Sequence, residues 1–326
     1  MIVSARVADV RRHRGRIPGA WGSRRRGPHG STRPRRDSLI IRRRLWPARM
    51  RGLLALSRPL NCLMSAAGVL IGTVAAGGVA AWSSVPVSIG LAALAAALFT
   101  AGGNAMNDLF DVETDRINHP ERPLASGTVS PRTAKTFTIL LFAGSFVAAV
   151  FVSAANLAIV LLNAGVIYGY ERRWKSQGLP GNLAISYLVG SLFLFAAVAV
   201  YSGPVAPLIR GTVLAALASF ATAGREITKD IEDMKGDVDR RTLPQRVGAA
   251  NAGFAAAGFL VIAVGLSLFP AYFGVLGLGY LVVVLLADGM FIYAALHSAA
   301  NPSRSQRVTK YAMIVALAAF LAGAFV

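Results

Sequence analysis

From residue 53 to the C-terminus one pattern repeats: an apolar run of about 15–25 residues, a short break, then another run. A helix rises about 1.5 Å per residue, so a run of that length spans a hydrocarbon core about 30 Å thick. Nine such runs occur, at about 53–77, 85–106, 133–153, 156–170, 182–202, 206–224, 247–269, 271–296 and 309–326. The chain is 55% apolar and only 15% charged, against about 25% charged in soluble domains. A soluble fold of 326 residues cannot hide that much apolar surface. The expected fold class is all-α: a polytopic membrane helix bundle of about nine transmembrane helices. Small residues fill the runs, as in Ala92-Ala93-Leu94-Ala95-Ala96-Ala97, and let membrane helices pack closely. The single Cys62 excludes a disulfide framework, a structural zinc site and an iron–sulfur cluster from this chain alone.

The net charge of +19 is unevenly spread. Residues 1–50 hold 15 Arg against Asp9 and Asp37, with no apolar period. This segment is expected to be a disordered extension, separate from a membrane domain at 51–326. Its charge suits anionic lipid or nucleic acid, although no nucleic-acid partner is expected for the protein as a whole. Met50 precedes the first apolar run, so a start at Met50 and a genuine basic tail both remain open, with a transit peptide as a weaker third reading. From residue 108 onward, every Lys and Arg except Arg210 lies in or beside the connections after runs 2, 4, 6 and 8. The positive-inside rule puts those connections and the N-terminus in the cytosol, in a multi-pass protein of the cell membrane.

Acidic residues are more concentrated still. Five of the 13 beyond residue 50 lie in 108–121 and six in 226–239; the others are Glu171 and Asp288. Asp108, Asp111 and Asp115 are spaced by 3 then 4, and so are Asp230, Asp233 and Asp237. On a helix that spacing lines up one face. Like charges in a stripe repel unless cations bridge them, and carboxylates are hard ligands that suit Mg²⁺ together with phosphate oxygens. Two stripes at the membrane edge therefore suggest a diphosphate held through Mg²⁺. Arg116, Arg122, Lys229 and the cluster Arg172, Arg173 and Lys175 are placed to take the remaining phosphate charge. A diphosphate at the head of an apolar helix bundle implies a greasy tail, an allylic prenyl diphosphate. Asp288, deep in an apolar run, is a functional candidate without a named partner.

At these residues the chain resembles the UbiA superfamily of intramembrane prenyltransferases. Asn107-Asp108-x-x-Asp111-x-x-x-Asp115 is similar to its first signature, with Asn104 before it and Arg122-Pro123-Leu124-Ala125-Ser126-Gly127 after it. Residues 225–237 resemble its second Asp-rich motif. Arg58-Pro59-Leu60-Asn61, Tyr168-x-Tyr170 and Gly181-Asn182 also match. The family usually carries a lysine shortly after the tyrosine pair, and here Arg172, Arg173 and Lys175 compete for that place. Arg58-Pro-Leu-Asn-Cys-Leu-Met64, 225–233 and Arg241-Thr-Leu-Pro244 look most like the archaeal-type digeranylgeranylglyceryl phosphate synthases.

The resemblance implies a central cavity under a cytosolic cap. It also implies Mg²⁺-dependent transfer of a geranylgeranyl group from its diphosphate to geranylgeranylglyceryl phosphate. Asn107, Asp111, Asp115, Asp230, Asp233 and Asp237 would be catalytic, and with Asp108 would hold the metal. Arg58, Asn104 and Tyr168 would join Arg116, Arg122, Arg172, Arg173, Lys175 and Lys229 on the diphosphate, and Asn61 and Asn182 would meet the acceptor. Membrane lipids surround the whole. An aromatic acceptor, as in quinone synthesis, is the runner-up. A cation or phosphate transporter and a lipid-binding scaffold are readings of other classes. Transport would place the acids near the midplane.

Overall fold

The computed structural model describes residues 48–234 and 241–324. Most of the expected disordered extension, and Asp237, lie outside the described residues. Residues 48–50 depart from that expectation: they open a helix, α1, over 48–57. The chain continues as α2 (Pro59–Gly77), α3 (Ala80–Ser84), α4 (Pro86–Phe110), α5 (Val112–Asn118), α6 (Pro131–Val152) and α7 (Ala154–Arg172). A short 3₁₀ turn (Trp174–Ser176) leads to α8 (Leu179–Ala199) and α9 (Ala206–Asp233). The remainder is α10 (Leu243–Val247), α11 (Ala249–Ser267), α12 (Phe269–Tyr272), α13 (Leu278–His297) and α14 (Pro302–Ala324). Among the described residues the regular elements are helical, and nine stretches are long and apolar enough to span a membrane.

Local chemistry sets the helix ends. Proline occupies the first turn of α2, α4, α6, α8 and α9, where its missing N–H costs nothing. Ser130 and Ser153 cap α6 and α7 by accepting from the backbone N–H of Thr133 and Asn156. The first apolar run breaks at Arg58, whose φ of 49° and ψ of 73° end α1 before Pro59 starts α2. The break expected at Pro270 lies later. Pro270 fits the first turn of α12, so one span runs Ala249–Tyr272, and the chain turns after Phe273 at Gly274, φ 63°. The fourth span begins at Ala154 because Ser153 caps it there.

The runs ending near 106 and 224 are carried further as helix, to Phe110 in α4 and Asp233 in α9. Asp108 of the first acidic cluster and Asp230 and Asp233 of the second thus ride on extensions of membrane helices. Because successive spans alternate in direction, the C-terminal ends of α4, α7, α9 and α13 lie at one end of the bundle, with α5, the 3₁₀ turn and α10 around them.

Close packing depends on small residues. A Cβ on Gly190 of α8 would meet Ser219 Oγ of α9 at 2.0 Å, and one on Gly211 of α9 would meet Ala197 Cβ of α8 at 2.1 Å. Polar side chains inside the bundle find partners across helices: Ser145 donates to the Ala95 carbonyl at 2.8 Å, and Asn156 to the Phe195 carbonyl at 2.9 Å.

Candidate active site

Four helices, α2, α4, α7 and α8, enclose a cavity of about 530 Å³. Its walls are apolar at Ala95, Phe99, Val160 and Leu192, and polar at Arg58, Asn61, Asn104, Asn107 and Glu171. The polar residues belong to the end of the bundle where the acids collect.

Asn107 and Asp108 sit on the last turn of α4. Asp111 then leaves helical geometry, with φ −92° and ψ 5°, and α5 carries Asp115. The expected stripe on one continuous helical face is therefore bent at Asp111. Three like charges on one face would repel; here each carboxylate takes a cation of its own. Asp108, buried, meets Arg58 Nη2 at 2.5 Å and Arg122 Nη1 at 3.7 Å. Asp115, also buried, receives Arg122 Nη1 on both oxygens at 2.7 Å. Asp111 receives Lys175 Nζ at 2.5 Å. Burial opposes the charge on Arg122, but its hydrogen bond to Asp115 and the nearby Asp108 and Asp111 outweigh burial and raise its pKa, so the guanidinium stays charged.

Arg58 is the only non-glycine residue with positive φ among the described residues. That conformation costs about 1–2 kcal/mol for an L-residue and marks a position held by its surroundings. The bend turns its guanidinium onto Asp108 and, at 3.5 Å, onto Asn107 Oδ1. Asn104 donates to the Ser57 carbonyl at 2.9 Å and pins α4 to the same bend.

Of the three competing cations after the tyrosine pair, Lys175 reaches the cluster. Arg172 and Arg173 are exposed, and Arg172 contacts the Tyr168 hydroxyl at 3.3 Å. Arg116 is also exposed and pairs with Glu113 at 2.8 Å, away from the three aspartates. Tyr170 rather than Tyr168 lines the cavity. On the second cluster Asn182 donates to Asp230 at 3.0 Å, while Lys229 and Asp233 are exposed. Asn182 thus contacts an aspartate of the second motif, whereas Asn61 lines the cavity.

Sequence reasoning missed Glu171. It is 8% exposed, accepts from Asn107 Nδ2 at 2.9 Å and from Lys175 Nζ at 3.2 Å, and so ties α7 to the end of α4. The signal was available. Glu171 stands four residues before Lys175 in a stretch otherwise free of acids, the spacing of a helical ion pair. A polar pair further inside the cavity was missed as well: Asn163 donates to Ser191 at 2.9 Å.

Among the described residues no three Asp, Glu, His or Cys side chains converge on one point as a ready metal site. The donor chemistry nevertheless fits Mg²⁺. Asp108, Asp111, Asp115 and Asn107 Oδ1 offer only hard oxygens, and cations of the chain already lie against them. Paired carboxylates and cations beside the cavity offer ligands for a cation and donors for an anion together.

The sequence profile of the UbiA prenyltransferase family matches residues 65–323. The chain belongs to the UbiA prenyltransferase family. This prenyltransferase is 41% identical over 278 residues to the digeranylgeranylglyceryl phosphate synthase of Methanopyrus kandleri, covering 84% of this chain and 99% of the relative. To that of Halobacterium salinarum it is also 41% identical over 278 residues, covering 85% and 98%. A solved digeranylgeranylglyceryl phosphate synthase superposes with a TM-score of 0.76 at 33% identity, over 85% of this chain and 99% of that one. A UbiA homologue from Archaeoglobus fulgidus, bound to GPP and Mg²⁺, shares the fold at a TM-score of 0.54 and 19% identity, over 82% of this chain and 99% of that one. The prenyltransferase is thus a multi-pass, all-helical membrane enzyme.

Proposed function

We propose that this enzyme transfers a geranylgeranyl group from geranylgeranyl diphosphate to the free hydroxyl of geranylgeranylglyceryl phosphate, with Mg²⁺, at the cytosolic face of the membrane. The product carries the second ether bond of an archaeal-type lipid. One observation of the site carries the reading: Arg58, Lys175 and Arg122 lie on Asp108, Asp111 and Asp115, and Arg58 and Asn107 join this cluster to a cavity of about 530 Å³ with apolar walls at Phe99, Val160 and Leu192. The named relatives, aligned over nearly their whole length, support the choice of donor and acceptor.

Asn107, Asp108, Asp111 and Asp115, with Asp230, Asp233 and Asp237 on the second motif, would hold the metal. When bound, Mg²⁺ neutralises diphosphate and makes it a better leaving group. Arg58, Arg122 and Lys175, now on the carboxylates, would offer their N–H donors to the diphosphate oxygens. The bond from the allylic carbon to the diphosphate oxygen breaks, and the electron pair leaves with the diphosphate. The acceptor hydroxyl oxygen bonds to that carbon and its proton is released to solvent. The apolar walls at Phe99, Val160 and Leu192 exclude water, which would otherwise capture the allylic cation. The exposed Arg172, Arg173 and Lys229 suit the acceptor's phosphate or the lipid headgroups around the mouth.

The test is transfer of radiolabel by purified protein, with and without Mg²⁺, to geranylgeranylglyceryl phosphate or to 4-hydroxybenzoate. Metal-dependent label in the lipid is expected. Label in the aromatic acceptor alone would move the reading to quinone synthesis.

A further inference from the structure

A second cavity, of about 200 Å³, lies between α8, α9, α11, α13 and α14. Its lining is apolar and partly small, with Ala218, Ala263 and Ala316 among the walls. Val189 of α8 lines both this chamber and the larger cavity, so the two spaces adjoin at that side chain.

Volume decides what each can take. A dry apolar cavity of about 150 Å³ holds one benzene ring, or about 25 Å³ per carbon. On that scale the main cavity, about 530 Å³, accommodates about twenty carbons, and the chamber, about 200 Å³, about eight. The reaction proposed above, on which this inference rests, needs two C20 chains in one bundle at the same time. One fills the main cavity. The donor has the stronger claim to it, because its diphosphate must meet Arg58 and Asn107 at that cavity's mouth. The second chain needs space elsewhere.

We infer that the chamber beyond Val189 receives about the last eight carbons of the acceptor's geranylgeranyl tail. Ser267 and Asp288 also line it. Asp288 accepts from Ser267 Oγ at 2.7 Å, and Tyr280 donates to the Ser267 carbonyl at 2.5 Å. Asp288 Oδ1 is buried with no partner among the described residues. The volume of the chamber limits the length of tail it can take.

The test is steady-state kinetics on the purified full chain, with glyceryl phosphates bearing C10 and C20 ethers as acceptors. Ala263→Leu and Ala316→Leu narrow the chamber. Each is expected to raise the ratio of acceptor KM for C20 over C10 about tenfold, the loss of burying about two methylenes, without raising the donor KM. Met313→Ala, which widens the same chamber and does not crowd the fold, is expected to move the preferred acceptor tail from C20 towards C25. A raised donor KM with an unchanged acceptor ratio would assign the chamber to the donor and overturn the inference. A raised Tm with no kinetic change would make it a packing void. If the unaltered protein transfers to no glyceryl phosphate, the proposed function fails first and the inference falls with it.

Discussion

Arg58 reaches 2.5 Å from Asp108 because its own backbone is left-handed. The residue that ends α1 and precedes Pro59 is bent out of the helix, and the bend points its guanidinium at the last turn of α4. Arg58→Ala removes the partner of a buried carboxylate and is expected to cost about 1–3 kcal/mol. Arg58→Gly loses the same partner but relieves the positive φ, so it should be more stable than Arg58→Ala by about 1 kcal/mol. Thermal unfolding in detergent orders the two. The reverse order would show that the bend carries no strain.

Glu171 holds the amide of Asn107 and the ammonium of Lys175 at once. Glu171→Leu should raise the Mg²⁺ concentration for half-maximal rate about tenfold, the worth of one charge-assisted hydrogen bond. Glu171→Gln, which still offers a carbonyl oxygen to Asn107, should restore most of the metal response. Metal titration of both variants checks this. A lower Tm with an unshifted metal response would leave Glu171 a purely structural residue.

Lys175 contacts Asp111, whereas Arg172 and Arg173 face outward. Lys175→Ala is expected to lower kcat/KM for the prenyl diphosphate about 100-fold. Arg172→Ala or Arg173→Ala should change it less than about fivefold. Equal losses in all three would mean that the basic run acts as one electrostatic patch.

Removing divalent metal with a chelator should abolish turnover, and Mg²⁺ should restore it. Asp115→Asn and Asp233→Asn should each cost about 100-fold in rate while the protein stays folded by Tm. Full activity in chelator would remove the metal from the mechanism.

Gly211 packs where a Cβ would stand 2.1 Å from Ala197 Cβ. Gly211→Ala should therefore destabilise the bundle by about 1–3 kcal/mol through α8–α9 overpacking. Gly258→Ala, with no atom within 4 Å of the added carbon, is the control and should leave Tm within about a degree or raise it slightly.

What the sequence determined by itself was whatever depends on local pattern. Apolar runs long enough to cross a membrane set the number and type of elements, because backbone hydrogen bonding in lipid leaves the chain little choice. The spacing of Asp108, Asp111 and Asp115, with Arg58, Asn104 and Arg122 around them, was enough to mark one end of the bundle as the candidate site. Boundaries were less legible: Pro270 looked like a break, and proved to be tolerated in the first turn of α12. Tertiary structure alone decided pairing. Nothing in the run from Tyr168 to Lys175 says that Lys175 would turn inward and Arg172 outward, since that depends on which side of α7 meets α4. Glu171 looked like a stray acid until Asn107, 64 positions away, was seen bonded to it. The bend at Asp111 and the left-handed Arg58 are likewise tertiary, because each trades local regularity for a charge partner supplied by another helix.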